Sequence, residues 1–509
     1  MIIIKERKMK KRIIALLLLA VMIVLCACTE KTPATTDEGS KQPTVTTSGG
    51  DKVTDAPVST EAPITTAHAD IPDVDFEDAD FVIYCTGNLE WHDFEALEDD
   101  VTVIGEATYR RNKMTEEMLG VKIIEDADYL WGDSYGSGTG YKRLEKSYSS
   151  NSPVCDFAMI GTHDVANAAL HGFVRDISSV EYIDLTQVYW DQQACADLRI
   201  GNKLPFTSVS FSTIVDAHTF CIFFNKDLAE EQQLPNLYDL VNEGKWTVDK
   251  FNEFCAQTYV DLNGNDTADR ADQYGAIVWN DTVLGVINSC GEAIGTVVNG
   301  ELKLTLYNDT VLAMIDKYVQ TAYSDNVFNY QSAPTGEWQA VLKSIFGEER
   351  ALFNLTNVHA TRHYRESAVD FGIIPYFKLD EKQEDYSSHI QEGGVQFFCI
   401  PQFVEDIEMT AIVAEYMAAE SYNIIRPAFF EKHLVGTIIR DEESEGTLDL
   451  VFESQLYDVG AFYRIGGYTT DFFKWFAAKD VNLASFYEER KENALATLAE
   501  INKQIAELD

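Results

Sequence analysis

Short apolar segments that alternate with amphipathic ones constrain the fold of this chain more than any other feature. Residues 80–88 form a predicted buried strand with a Gly-Asn turn at its end, and 109–119 form a predicted helix that ends at Gly120. A strand at 121–125, a helix at 141–149 and a strand at 155–161 follow. Strands joined through helices pair in parallel with right-handed crossovers. The sequence therefore predicts an α/β lobe with a largely parallel sheet.

The alternation continues over the rest of the chain. The longest apolar β-like run, at 217–225, passes directly into a helix, and further strands are predicted at 274–279, 351–355 and 371–376. Helices dominate after about residue 401. About 430 residues follow residue 78, which is enough for two or three domains.

The first 28 residues have the pattern of a secretory signal that ends in a lipidation site. Six basic residues up to Arg12 precede an apolar run from Ile13 to Leu25. That run would make a helix of roughly 20 Å, which is too short for a hydrocarbon core of about 30 Å. The segment Leu25-Cys26-Ala27-Cys28 resembles a bacterial lipobox. We expect residues 1–27 to be removed and Cys28 to carry a lipid; the alternative is an ordinary signal cleaved without lipid.

Residues 28–78 are rich in Thr, Ser, Pro and acidic residues and have almost no large apolar side chain. Such a segment buries too little surface to offset its ordering entropy. We therefore expect a disordered tether, followed by a folded region at 79–509. With a lipid at Cys28, this places the folded region at the extracellular face of the cytoplasmic membrane, in a bacterium that is expected to be Gram-positive.

The charge of the chain excludes some partners. The whole chain has 40 Lys+Arg and 83 Asp+Glu, and removal of residues 1–27 takes away six basic residues and one acid, which leaves a formal net charge of −48. A field of this sign repels nucleic acid and anionic lipid, so we expect neither as a partner. Seven cysteines remain beyond Cys28 without any Cys-x-x-Cys pair, and most lie in apolar runs, which predicts buried free thiols.

Several short motifs, in order, resemble a bacterial extracellular solute-binding protein of the carbohydrate ABC-transporter type (family 1). Each motif is weak alone, and the ordered set over about residues 80–509 carries the resemblance. The motifs are Tyr189-Trp-Asp-Gln192, Ile200-Gly-Asn-Lys-Leu204, Phe223-Phe-Asn-Lys226, Gly244-Lys-Trp-Thr247, Asp261-Leu-Asn-Gly-Asn265 with Asp272-Gln-Tyr-Gly275, Asp370-Phe-Gly-Ile-Ile-Pro375 and Glu415-Tyr-Met-Ala-Ala-Glu-Ser421.

The resemblance implies an α/β, two-lobed periplasmic-binding-protein-like fold of type II with a helical C-terminal region. Each lobe has a mostly parallel sheet flanked by helices, and hinge strands join the lobes, with crossings expected near 215–220 and 370–376. It further implies a monomer that binds an oligosaccharide in the cleft between the lobes and delivers it to an ABC permease. Alternatives are the same fold with a peptide or another polar solute, a secreted polysaccharide hydrolase, or a surface scaffold without a small-molecule site.

Polar and aromatic residues that follow predicted strands are the candidate ligand contacts. Sugar rings offer apolar faces and a rim of hydroxyls, so their sites combine aromatic side chains with short polar groups. In doubly wound sheets, ligands bind beyond the carboxyl ends of the strands. The candidates are Asn88, Glu90, Trp91, Thr162, His163, Trp279, Asn280, Asp281 and Asn357, together with Tyr189, Trp190 and Trp338 from loops.

One acidic loop has the spacing of an EF-hand-like calcium site. Its oxygen donors fall at positions 1, 3, 5, 7, 9 and 12 and are Asp261, Asn263, Asn265, Thr267, Asp269 and Asp272. Two departures are Asp266 in place of glycine at the turn and Asp272 in place of a bidentate glutamate. The loop predicts either a structural Ca²⁺ or an acidic surface loop, and no cofactor is otherwise required.

No motif supports catalysis. Gly132, Ser134 and Gly136 match the G-x-S-x-G nucleophile pattern, but a polar segment precedes them and Gly/Ser residues continue after them. A nucleophile elbow requires a buried strand before it and a helix immediately after it. We therefore predict a flexible loop there, and a chain that is not an enzyme.

Overall fold

A computed structural model of the chain describes residues 66–86, 93–95, 97–98, 100–128, 138–435 and 441–508. The predicted signal peptide, Cys28, the Gly132–Gly136 pattern, and the candidate contacts Asn88, Glu90 and Trp91 lie outside the described residues. Within the described ranges, no helix is both long and apolar enough to cross a membrane.

Two larger sheets and two strand pairs contain the strands of the described chain. These are β1 (Ala79–Thr86), β2 (Val121–Asp128), β3 (Phe157–Gly161), β4 (Phe220–Asn225), β5 (Tyr274–Val278), β6 (Gly295–Val298), β7 (Glu301–Leu304), β8 (Val327–Asn329), β9 (Ala351–Asn357), β10 (Phe371–Ile374), β11 (Ser388–His389), β12 (Gln396–Cys399) and β13 (Gln455–Leu456).

Helices connect most of these strands and make up the C-terminal region. The α-helices are α1 (Val103–Leu119), α2 (Thr139–Ser150), α3 (Thr162–Leu170), α4 (Gln192–Asp197), α5 (Ile214–Ala217), α6 (Lys226–Glu231), α7 (Leu237–Asn242), α8 (Val248–Thr258), α9 (Thr282–Ser289), α10 (Asp309–Ala322), α11 (Trp338–Ile345), α12 (Ile407–Pro427), α13 (Glu442–Glu453), α14 (Val459–Phe462), α15 (Tyr468–Ala477) and α16 (Leu483–Ala506). A π-helical segment, Ala428–Val435, follows α12.

The first lobe is built on a four-stranded sheet in the order β12-β3-β1-β2. Strand β1 is parallel to both β2 and β3, as the strand–helix alternation predicts. Gly120 ends α1 with φ 63° and turns the chain into β2, a conformation that glycine adopts without steric cost. The apolar side chains of β3 are fully buried, so helices cover both faces of this sheet.

The second lobe is built on a five-stranded sheet in the order β10-β4-β9-β5-β8. Strand β5 is parallel to β8 and β9, whereas β4 is antiparallel to β9 and β10. In the first sheet, β12 is the antiparallel strand. Strand β4 is the first strand of the second sheet, and β12 is the first strand that the chain adds to the first sheet after its return. The antiparallel pairs therefore occur where the chain changes lobe and the alternation of parallel strands and helices is interrupted.

Two crossings between the lobes lie side by side. The chain leaves the first sheet after β3 and enters the second at β4; it returns between β10 and β12. Strand β10 still pairs with β4, so the return lies after the 370–376 segment rather than along it. Thr219 on the outgoing crossing forms an antiparallel bridge with Ile390 on the return.

The packed chain begins before the predicted boundary at residue 79. The Ala67 N–H donates to Asn423 Oδ1, and Asn423 Nδ2 donates to the Ala67 carbonyl, both at 2.9 Å. The Phe76 N–H donates to the Leu119 carbonyl at 2.9 Å. These contacts tie the segment to α12 and α1. The disordered tether remains a prediction for the residues that precede residue 66.

The prediction of buried free thiols is confirmed in the described chain. Its cysteines are all buried, and none forms a disulfide; they are Cys85, Cys155, Cys195, Cys221, Cys255, Cys290 and Cys399. Burial raises the pKa of the Cys290 thiol to about 12. These groups therefore behave as small apolar side chains.

Candidate functional site

The carboxyl ends of two neighbouring strands of the second sheet, β5 and β8, bring polar side chains together. Asn280 follows β5 by two residues, Asn329 is the last residue of β8, and both strands run in parallel. The Asn329 Nδ2 donates to Asn280 Oδ1 at 2.8 Å, and the Asn280 N–H donates to Gln331 Oε1 at 2.9 Å. This network fixes the orientation of the Asn280 amide at the edge of the sheet.

An aromatic row lies beside these amides. Trp279 is half-buried and nearly parallel to Tyr330, with ring centroids 6.3 Å apart and an interplanar angle of 16°. Trp338 is also half-buried and meets Tyr330 edge-on at 6.4 Å. The Nε1–H of Trp338 donates to the Ala333 carbonyl, whereas the Nε1–H of Trp279 is buried and has no hydrogen-bond partner within the described residues. A buried donor without a partner calls for an explanation, and a bound ligand or an ordered water would provide one.

Asp281 lies at the N-terminal end of α9, and its side chain makes no capping hydrogen bond to that helix. It is partly exposed. Burial, and then the negative charge of Glu392, raises the pKa of Asp281 to about 8, while the side-chain amide of Gln391 acts in the opposite direction. Such a shift is frequent at functional sites.

Asn357, at the end of β9, is directed at the return crossing. Its Nδ2 donates to Gln391 Oε1 at 2.8 Å, and its Oδ1 accepts the Ala360 N–H at 3.2 Å. Asn357 is 8% exposed. Both polar atoms of this candidate ligand contact are therefore already paired, Nδ2 with Gln391 and Oδ1 with Ala360.

Thr162 and His163 lie at the edge of the first sheet, where β3 ends, and both are buried. Thr162 Oγ1 donates to the Val395 carbonyl at 3.2 Å, and His163 Nδ1–H donates to the Phe462 carbonyl at 2.9 Å. Burial lowers the pKa of His163 to about 4, so the imidazole is neutral at physiological pH. The two residues tie the first sheet to the return crossing and to α14.

Glu392, the neighbour of Gln391, lies between the two lobes. Its carboxylate is 3.4 Å from His389 Nε2, and His163 from the first lobe faces it. Burial opposes the ionisation of Glu392, but the interaction with His389, and after it the interaction with His163, holds its pKa below the ordinary value. The return crossing therefore carries an anionic group in the interior.

Tyr189 and Trp190 are not at the strand ends. Tyr189 Oη donates to Glu415 at 2.6 Å, and Trp190 Nε1 donates to the same carboxylate at 2.9 Å. Both aromatic residues are at most 1% exposed. The expectation that they contact the ligand is not supported by this geometry, because their polar atoms are already paired with a buried glutamate of α12.

Two glutamines were not among the sequence candidates although the structure places them at the site. Gln331 follows β8 and Gln391 lies on the return crossing. Position after a strand could have identified Gln331, as it did Asn280. No periodic pattern marks the segment that carries Gln391. The predicted contacts Asn88, Glu90 and Trp91 follow β1, outside the described residues.

The predicted calcium loop is closed by its own hydrogen bonds. Asn263 and Asn265 donate side-chain N–H groups to the Asp269 carboxylate. Both oxygens of Asp272 accept backbone N–H groups, from Leu262 and Asp269. Among the described residues, no three His, Cys, Asp or Glu side chains converge as a metal site would require.

This arrangement does not fit Ca²⁺ as it stands. The ion needs six to eight oxygen ligands, and here the oxygens of Asp269 and Asp272 face N–H donors. Asp266 at the sixth position adopts a positive φ of 56°, the conformation that glycine takes in an EF-hand loop. The loop therefore has the backbone turn of a calcium site without its ligand arrangement, and the structural Ca²⁺ remains a prediction.

Comparisons with known proteins identify the fold. No protein-family model and no curated protein matches this chain. Solved structures do match, among them the galacto-N-biose-/lacto-N-biose I-binding protein of an ABC transporter from Bifidobacterium longum. That match has a TM-score of 0.56 and 11% identity and covers 84% of this chain and 98% of that one.

Two further solved structures of binding proteins match this chain over a similar length. The cyclic α-maltosyl-1,6-maltose-binding protein from Arthrobacter globiformis has a TM-score of 0.53 and 11% identity, over 84% of this chain and 99% of that one. A family 1 extracellular solute-binding protein from Alicyclobacillus acidocaldarius has a TM-score of 0.50 and 9% identity, over 84% and 98%. At such identities the likeness concerns the fold alone, and it confirms the two-lobed periplasmic-binding-protein-like architecture.

Proposed function

We propose that this chain is an extracellular solute-binding protein that binds an oligosaccharide between its lobes and delivers it to an ABC permease. The observation that carries the proposal is the cluster at the carboxyl ends of β5 and β8. There the half-buried ring of Trp279 is followed along the chain by the oriented amide of Asn280 and the carboxyl group of Asp281. Such a set offers a partly exposed aromatic surface and polar side chains to a sugar. The fold of the structural neighbours agrees with this proposal.

The mechanism follows from the position of the cluster next to the crossings. A ligand that contacts Asp281 and both lobes binds the closed form better than the open form and shifts the population towards it. The closed form is then the one that the permease recognises. We propose no catalytic role, and the neighbours named above are binding proteins.

Thermal unfolding of the chain from residue 28 onward, which keeps every described residue, tests the proposal. Suitable probes are lacto-N-biose, maltotetraose and the cyclic tetrasaccharide of maltosyl units. The unfolding of the protein is measured with each sugar and without any sugar. A probe at about 100 times its Kd should add about 2.7 kcal/mol to the free energy of unfolding. Chromatography of the probe after incubation should show no product.

A matched pair of variants locates the site. We expect Trp279→Ala to abolish the stabilisation by the bound sugar. Tyr307→Ala removes another aromatic residue, which stacks on Tyr487 at 4.6 Å and is 39% exposed, and should leave binding unchanged. Product release would favour a hydrolase, and a panel without any binding would contradict the oligosaccharide as ligand.

The membrane anchor is a separate part of the proposal. The lipobox-like segment places a lipid on Cys28, at the extracellular face of the cytoplasmic membrane. We expect the wild-type protein in the membrane fraction and a Cys28→Ala variant outside it. Equal distribution of the two proteins would contradict lipidation.

We further propose that the Asp261–Asp272 loop takes up Ca²⁺ once its amides turn their oxygen atoms inward. Calcium should then raise the unfolding temperature of the wild type but not that of Asp261→Asn. Asp309→Asn, an exposed change in the first turn of α10, is the control. An unfolding temperature that is independent of calcium would leave only an acidic surface loop.

A further inference from the structure

Gln391 lies on the return crossing, beside the outgoing crossing. Its backbone N–H donates to the His218 carbonyl at 3.1 Å, directly after the bridge between Thr219 and Ile390. The residue therefore belongs to the paired segment that joins the two lobes. Any change in the angle between the lobes acts on this segment.

The side chain of Gln391 reaches from the crossing into the second lobe. Its Oε1 accepts the Nδ2–H of Asn357 at 2.8 Å, which fixes the amide relative to the end of β9. The same amide interacts with the Asp281 carboxylate at the start of α9. One side chain thus connects the crossing with two strand ends of the second sheet.

Close packing keeps this part of the return crossing in place. A Cβ atom at Gly394 would lie 2.4 Å from His218 Cδ2, so the two crossings approach more closely than a larger residue would permit. Glu392, the residue after Gln391, has its carboxylate 3.4 Å from His389 Nε2. The return crossing also contacts the first lobe, because the Thr162 hydroxyl donates to the Val395 carbonyl at 3.2 Å.

We infer that Gln391 is a positioning residue that couples ligand contact at Asp281 to the crossing between the lobes. This inference rests on the proposed function and goes beyond it, because it assigns the coupling to one side chain. A ligand that draws Asp281 towards itself changes the Asp281–Gln391 contact. The change is passed to the segment that sets the angle between the lobes, and it favours the closed form.

The test combines a measurement without ligand and one with ligand. Gln391→Met keeps the length of the side chain and removes both polar contacts, and Gln402→Met, after β12, is the matched control. Spin labels at Lys142→Cys in α2 and Glu230→Cys in α6 report the distance between the lobes, since both positions are exposed and the cysteines described above are buried. Calorimetric titration with the three sugars named above gives the Kd.

Without ligand, we expect Gln391→Met to broaden the distance distribution while Gln402→Met leaves it unchanged. With a sugar that the wild type binds, Gln391→Met should raise the Kd at least about tenfold. Its effect should be non-additive with that of Asp281→Asn, as expected for two groups in contact. A role limited to stability would lower the unfolding temperature without changing the distance distribution.

The outcomes separate the inference from the proposed function. If no sugar binds the wild type, the proposed ligand is wrong, and an unchanged distance distribution in Gln391→Met overturns the inference independently. If a sugar binds and Gln391→Met has the wild-type Kd, the inference is overturned and the proposed function stands. Additive effects of the two substitutions also overturn it.

Discussion

Replacement of Asp281 by asparagine should stabilise the fold at alkaline pH. The ordinary pKa of this carboxyl is 3.8, and burial and the charge of Glu392 raise it to about 8; Tyr330 faces it as well, and Gln391 acts against the shift. Between these pH values the folded chain holds a proton that the unfolded chain has released. The free energy of unfolding therefore falls as the pH rises through this window.

The size of the effect follows from the same numbers. One pKa unit corresponds to about 1.4 kcal/mol. The shift from 3.8 to about 8 therefore lowers the free energy of unfolding by at most about 6 kcal/mol once the pH is above 8. Asp281 is partly exposed, and solvent screening reduces this value, so we expect Asp281→Asn to gain about 2 kcal/mol at alkaline pH. At acidic pH the gain should vanish, because the wild-type carboxyl is then neutral in both states.

Urea unfolding of both proteins at acidic and at alkaline pH measures this difference. Asp309→Asn, already used above as an exposed control, is measured alongside under the same conditions. A gain for Asp281→Asn that is the same at both pH values would refute the argument, since it could not come from titration of this group. The same variant should bind the sugar more weakly, because the group that costs stability is the proposed ligand contact.

Substitutions at two further positions, Glu415 of α12 and Gly394 of the return crossing, test the packing of the lobes. Glu415→Ala should lower the free energy of unfolding in urea by about 3 kcal/mol or more, because the buried N–H of Trp190 and O–H of Tyr189 lose their acceptor. Glu415→Gln should lower it by less. Equal losses in the two variants would contradict this account. Gly394→Ala should cost about 1–3 kcal/mol in thermal unfolding, because its Cβ meets the His218 ring. At Gly336 a Cβ meets no atom within 4 Å, so Gly336→Ala is the control, and an equal loss there would refute the steric argument.

The parts of the fold that depend on local sequence were predictable. The turn at Gly120 and the strand–helix alternation need only neighbouring residues, and the structure confirms both. The rule that ligands bind beyond strand ends led to Trp279, Asn280 and Asp281, which do lie together. These predictions required no knowledge of distant contacts.

Sequence patterns could not reveal the contacts between distant residues. Tyr189 and Trp190 pair with Glu415, more than 200 residues further along the chain, and a short motif cannot reveal such a partner. The role of Asn357 and Gln391 depends on the approach of β9 to the return crossing, which only the assembled lobes create. The sequence identified residue types that suit a sugar site but not which of them were already paired.

The buried thiols can be used to detect local opening of this protein. Cys85, Cys155 and Cys399 belong to the first sheet and its margin, whereas Cys221, Cys255 and Cys290 belong to the second lobe. A thiol reagent reacts with each group only when its surroundings open, and local openings differ in free energy across a structure. The order in which these cysteines are modified, read by mass spectrometry, would therefore show which lobe opens first and whether a bound ligand protects both.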